Sequence, residues 1–171
     1  MTRMTSAYAN KLIRKLKEDK FYWTNREEEG HCYVAALDEE PVIPEYDYLE
    51  VSAKIAEIDQ KIITIKHALN VVNTTNEIQT EDGSLTIDAV LVKMAQLNQR
   101  KVTLDKMRKL QPKTRMNTSL YSSRKTTPEY QYINFDMDLI KKEYEAVDMK
   151  ISAMQIALDK FNQTFEFDVN I

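Results

Sequence analysis

The sequence predicts a mainly α-helical protein: a long antiparallel helical hairpin or coiled-coil bundle, with a small β-hairpin and short strands at the helix ends. Three observations predict it. Apolar residues recur at Tyr48, Val51, Ile55, Ile58, Ile62, Ile65, Leu69 and Val72, an alternation of threes and fours that keeps one helix stripe against a partner. The same alternation returns at Ile140, Tyr144, Val147, Ile151, Met154, Leu158 and Phe161. Finally, two glycines and four prolines in 171 residues leave few sites for tight β turns, and the 30% of charged residues suits long solvated helices.

The expectation is a single helical domain over residues 1–171, taken in order. A first helix spans 5–30, with Tyr8, Leu12, Leu16 and Trp23 near one face. Thr5 or Ser6 caps its start, and Gly30 is placed to end it in the left-handed conformation. Residues His31 to Tyr46 connect, with Tyr33–Leu37 as a short strand or extended packing segment; Pro41 and Pro44 hold their neighbours out of helix. The helical hairpin covers 47–110: Asp47 caps the first arm, which at about 1.5 Å per residue is roughly 38 Å long. Its tip, 73–86, carries a β-hairpin turned by Asp82-Gly83. The return arm runs through Ile87, Val90, Met94, Leu97, Leu104 and Met107 until Pro112 disfavours helix at Gln111. A polar loop, 111–135, contains a short extended piece from Tyr130 to Phe135. Asp136 or Asn134 caps the last helix, 136–163, and a short strand, 164–169, closes the chain.

Composition bounds the function. A formal charge of −3 and a pI near 5.5 argue against general nucleic-acid binding. Cys32 is the only cysteine, so no intrachain disulfide can form. The first residues are polar rather than a signal-peptide core, and no apolar run approaches the roughly 20 residues that span a bilayer. A cytoplasmic protein that does not enter membranes is expected.

The two best helices repeat one another. At a shift of 89 residues the stripes superimpose, and identities appear at Asp59/Asp148, Lys61/Lys150, Ala68/Ala157, Leu69/Leu158, Asn73/Asn162, Thr75/Thr164 and Glu77/Glu166. The exit motif Ala-Leu-x-x-x-Asn-x-Thr-x-Glu occurs at 68–77 and again at 157–166. The strands that leave the two helices, Thr75–Gln79 and Thr164–Val169, are therefore expected to be neighbours or symmetry-related partners. Structurally, Asn ends helices through the left-handed conformation and Thr starts strands. Functionally, Asn73, Thr75, Asn162 and Thr164 would converge as hydrogen-bonding groups on a small polar ligand.

No catalytic residue, metal site or cofactor is predicted. His31, Cys32 and His67 lack the paired spacing of a zinc site, and the local sequence offers Cys32 no combination of activating histidine and orienting group. Glu-x-x-His occurs only once, at Glu28-Glu29-Gly30-His31, where a carboxylate–metal site in a helical bundle uses two, and two glycines cannot build a phosphate loop. The polar loop is the second candidate site. Arg115, Tyr121, Arg124, Tyr130 and Tyr132, with Lys113, Lys125 and interleaved hydroxyls, combine guanidinium groups and aromatic faces suited to a phosphate or nucleotide ligand.

Several stretches carry a family resemblance. Met1–Lys11, Tyr33–Leu37 with Pro41-Val42-Ile43-Pro44, Met94-Ala95-Gln96-Leu97-Asn98, Tyr121-Ser122-Ser123-Arg124, Tyr130-x-Tyr132-Ile133-Asn134 and Asn162-Gln163-Thr164 resemble bacterial septicolysin-like proteins over nearly the whole chain. The resemblance implies a mainly helical protein on a long hairpin and supplies no established active site; the family's name implies a haemolysin.

The expected function is therefore a non-enzymatic, homo-oligomeric protein, a dimer or dimer-based assembly, that binds a small polar or phosphate-bearing ligand or a protein partner. The rivals are a membrane-acting cytolysin and an enzyme acting on a nucleotide-like substrate.

Overall fold

The computed structural model describes residues 1–116 and 128–171. Their elements run β1 (Thr2–Thr5), α1 (Ser6–Gly30), α2 (Tyr48–Thr75), β2 (Glu77–Thr80), β3 (Gly83–Thr86), α3 (Ile87–Arg108), β4 (Lys113–Arg115), β5 (Tyr130–Tyr132), α4 (Met137–Thr164) and β6 (Glu166–Val169). The protein is mainly helical, with small antiparallel strand pairs. The residues divide into two compact units, Met1–Ile78 with Leu158–Ile171, and Gln79–Ala157.

In the first unit α1 packs on α2, and the apolar stripe of α2 is what it packs on. Ile65, Leu69, Ala9 and Ile13 are buried in one core with Met4 and Val169. Those last two come from β1 and β6, which pair antiparallel with Thr2 opposite Val169 and Met4 opposite Phe167. The sequence predicts α1 as the first element; β1 precedes it, and its Thr5 both ends the strand and caps the helix by accepting from the Tyr8 amide at 3.2 Å. Asp47 caps α2 as expected, its carboxylate accepting from the amides of Leu49 and Glu50 at 2.8 and 3.2 Å.

Two local features differ from the sequence's prediction. Gly30 does not end α1 in the left-handed region: it is the last helical residue, and His31 beyond it is right-handed, φ −70° and ψ −15°. Glycine is required there by space, because a Cβ would lie 2.7 Å from the Tyr46 Cβ. Tyr33–Leu37 is neither strand nor packing segment; it has no regular structure, and Val34 and Leu37 are fully exposed.

The chain passes into the second unit within β2, which pairs with β3. Gly83 turns this hairpin at φ +106°, as the Asp-Gly pair predicts, and the Thr80 hydroxyl donates to the Gly83 carbonyl across it at 2.7 Å. α3 and α4 then meet around buried Leu104, Ile140 and Val147, with Leu97, Met107, Tyr144 and Ile151 at the margin. Asp136 caps α4 by accepting from the amides of Asp138 and Leu139.

The repeated exit motif has a common geometry. α2 and α4 both run past the Asn and end on the Thr, at Thr75 and Thr164, and both strands begin at the Glu, Glu77 and Glu166. Asn73 and Asn162 are therefore helical and take no left-handed cap. The two exit strands do not pair with each other. β2 pairs with β3 and β6 with β1, because each exit strand meets the strand that precedes a helix N-terminus, Thr86 or Thr5.

Candidate functional site

The most chemically loaded surface is the ribbon β4–β5. Pro112 stops helix, and the β-favouring Thr114, Tyr130 and Tyr132 let the chain close antiparallel, Lys113 opposite Tyr132 and Arg115 opposite Tyr130. Amide bonds continue the ladder at both ends, from Met116 to the Glu129 carbonyl at 2.9 Å and from Ile133 to the Pro112 carbonyl at 3.3 Å. Directly opposed residues share a face, and side chains alternate along a strand. Lys113, Arg115, Tyr130 and Tyr132 thus stand together on one face and Thr114 and Gln131 on the other.

That face is open. Tyr130 is 40% and Tyr132 62% exposed, and the Lys113 ammonium lies 4.2 Å from the Tyr130 ring centroid and 5.5 Å from that of Tyr132. Both distances fall within cation–π range. Beneath the other face a small open cleft lies between Thr114 and Gln131 of the ribbon and Leu110 and Phe135. The ribbon also continues a basic stretch. From Arg100 to Met116 the chain carries seven basic residues and one acid, in a protein of net charge −3.

Part of that basic stretch is fixed by its neighbours. Arg108 stacks on the Tyr144 ring at 3.9 Å while its guanidinium bonds Asp105 at 2.7 Å. Asp105 also takes Lys109, and the two cations, Lys109 foremost, hold its carboxyl below the usual range; Asp105 in turn raises the Arg108 guanidinium. Lys101 pairs with Asp148 on α4, and this bond raises the Lys101 ammonium above its ordinary value.

The other predicted site residues fall as follows. Arg115, Tyr130 and Tyr132 are brought together; Tyr121 and Arg124 lie outside the described residues. At the helix exits, Asn73 and Asn162 are half-buried, whereas Thr75 and Thr164 are exposed and turn their hydroxyls inward, donating to the carbonyls of Val71 and Lys160 at 2.7 and 2.8 Å. Each hydroxyl thus spends its donor on its own helix.

Sequence reasoning missed Lys113 as the centre of the ribbon face and missed the lysines that face Asp59 and Asp148. The second pair was findable. The first halves of the repeat align at a shift of 81 rather than 89, setting Met4 on Leu85, Thr5 on Thr86, Ser6 on Ile87, Ala9 on Val90, Ile13 on Met94 and Lys20 on Lys101. Lys20 bonds Asp59 at 2.6 Å as Lys101 bonds Asp148. Each strand–helix–helix–strand repeat therefore carries the same ion pair.

Among the described residues no group of three or more potential metal ligands is found, and no helix is long and apolar enough to cross a membrane. Geometry and topology together define a helical protein of two related repeats with a basic, aromatic strand ribbon between the helices of the second. The same fold occurs in the crystal structure of a functionally unknown conserved protein from Corynebacterium diphtheriae, which superposes with a TM-score of 0.65 over 98% of this chain and 100% of that one, at 13% identity. No family model and no curated protein matches the chain.

Proposed function

We propose that this is a non-enzymatic binding protein that takes a phosphate-bearing ligand of nucleotide type on the open face of the β4–β5 ribbon. One observation carries the reading: the register that sets Lys113 opposite Tyr132 and Arg115 opposite Tyr130, four side chains of complementary chemistry on one exposed face. Arg115 offers a planar fork for phosphate oxygens and Lys113 a point charge. The tyrosine rings offer flat surfaces on which a base stacks, worth about 1–3 kcal/mol per base in related settings. The basic stretch leading into the ribbon favours an anion. The exposure of both rings suits holding a ligand rather than enclosing a reacting one, and so favours binding over the nucleotide-directed enzyme.

The test is a titration of the full chain, isotopically labelled, with a panel of nucleoside monophosphates and with inorganic phosphate. Amide shifts at residues 113–115 and 130–132, saturable and abolished by Lys113→Ala with Arg115→Ala, are expected. Saturable shifts confined to the helix exits at Asn73 and Asn162 would move the site there, and no shift with any compound would defeat the reading. The septicolysin-like resemblance makes a cytolysin the remaining rival; release of dye from liposomes by the purified protein would favour it.

A further inference from the structure

We infer that the outer face of α4 is a self-complementary dimer interface, on which a second copy of this chain docks antiparallel. This goes beyond ligand binding and uses none of the ribbon residues. α4 carries two apolar stripes. The inner one is buried against α3 through Ile140 and Val147. The outer one consists of two series at seven-residue spacing, Leu139, Ala146 and Ala153, and Lys142, Met149 and Ile156. All six are exposed, with Leu139 at 58%, Met149 at 69% and Ile156 at 70%. Two interleaved heptad series form a seam that buries itself only against another helix, and this one runs roughly 26 Å at about 1.5 Å per residue.

What fits the seam is its own copy. Laid antiparallel about a twofold axis between Val147 and Asp148, Leu139 of one helix meets Ile156 of the other, Ala146 meets Met149, and Ala153 meets Lys142. Each contact occurs twice, as a twofold interface requires. A small residue opposes a long one at four of the six layers, which lets the helices approach and the long chains cover the gap.

Charge follows the same register. Lys142 is the one charged residue of the seam, and it falls against Ala153, which lines a cleft with Gln79, Thr80 and Glu81. Glu81 and Lys150 both line that cleft, so the incoming ammonium meets one residue of each sign. On the flank, Glu143 of one copy comes beside Lys150 of the other. Lys150 shares the Asp82 carboxylate with Lys93, at 2.9 and 2.5 Å, so an incoming carboxylate meets two ammonium groups that are held on one carboxylate.

The test is sedimentation equilibrium of the full chain, followed by disulfide trapping. Wild type is expected to be a dimer. Met149→Glu with Ile156→Glu changes only residues that are exposed in the single chain, so helicity should hold while the dimer dissociation constant rises by roughly 100-fold or more. With Cys32→Ser as background, a mixture of Ala146→Cys and Met149→Cys proteins should cross-link faster than a mixture of Leu139→Cys and Met149→Cys. A monomeric wild type overturns the inference, as does a dimer that survives both glutamates or cross-links with no preference for 146 over 139.

Discussion

Lys20 on α1 reaches Asp59 on α2, with 2.6 Å between the ammonium and the carboxylate. The pair joins the two helices of the first repeat at mid-length, and Lys101 with Asp148 does the same in the second. Lys20 and Asp59 are 37% and 44% exposed, so water screens them and the pair sets register more than it adds stability. Asp59→Asn should therefore cost no more than about 0.5 kcal/mol. Urea denaturation checks this, and the difference from wild type should shrink as salt is raised to 0.5 M or so.

Core substitutions should cost far more. Ile65 in the first unit and Leu104 in the second have no exposed surface. Ile65→Ala and Leu104→Ala should each destabilise by about 2–5 kcal/mol, from lost transfer energy plus the cavity left behind. Hydrogen exchange followed residue by residue would show whether each loss stays within its own unit or spreads through the chain; because α4 contributes to both units, spread is the expected outcome.

The hairpin at Asp82 should be acid-sensitive. Hydrogen bonds from Lys93, then from Lys150, hold the Asp82 carboxyl below its ordinary value of 3.8. A carboxyl depressed in the folded state contributes stability that is complete above the unfolded value and is lost as pH falls through the lower folded one. The window thus lies below about pH 4. Carbon-detected titration of the Asp82 side chain should give a midpoint below 3.8, and Asp82→Asn should remove its share of the acid dependence while leaving stability near pH 7 lower than wild type.

The repeated exits separate capping from ligand contact. Asp47→Ala removes two accepted amide bonds and should cost about 1 kcal/mol, typical of a lost helix cap. Asn73→Ala with Asn162→Ala removes side chains that lie within helices rather than at left-handed caps. That double variant should keep its thermal midpoint to within about 2 °C if the asparagines contact a ligand, since helix-surface changes rarely exceed about 0.5 kcal/mol. A loss as large as that of Asp47→Ala would assign them a structural role.

Much of this architecture was legible because helices announce themselves by period. The stripes of α2, α3 and α4, the caps Asp47 and Asp136 and the Asp82-Gly83 turn are local signals, each resolved within about one or two turns of chain. Strand pairing was not legible for the opposite reason. β6 shows its alternation and is predicted as a strand, but β1 is only four residues and carries no such signal, and the two partners lie at opposite ends of the sequence. Thr75 and Thr164 were read as strand starters from their β preference, yet their hydroxyls are satisfied by the preceding helical turn, so the helices keep them. The ribbon face at Lys113 was half visible. The residue types were read, but a loop has no register until its strands are paired, and only the register puts lysine, arginine and both tyrosines on one side.

The pairing of β1 with β6 also sets an order of events during synthesis. Met4 and Val169 share a core, so that core stays incomplete until residue 169 has been added. At about 5–20 residues per second that wait is roughly 8–33 s after residue 4 has been added. The second unit is drawn from one unbroken segment, Gln79–Ala157, and can close while the first still lacks its last strand. Through that interval β1 lacks its partner strand, and its unpaired edge is open to capture by a chaperone or by a neighbouring nascent chain.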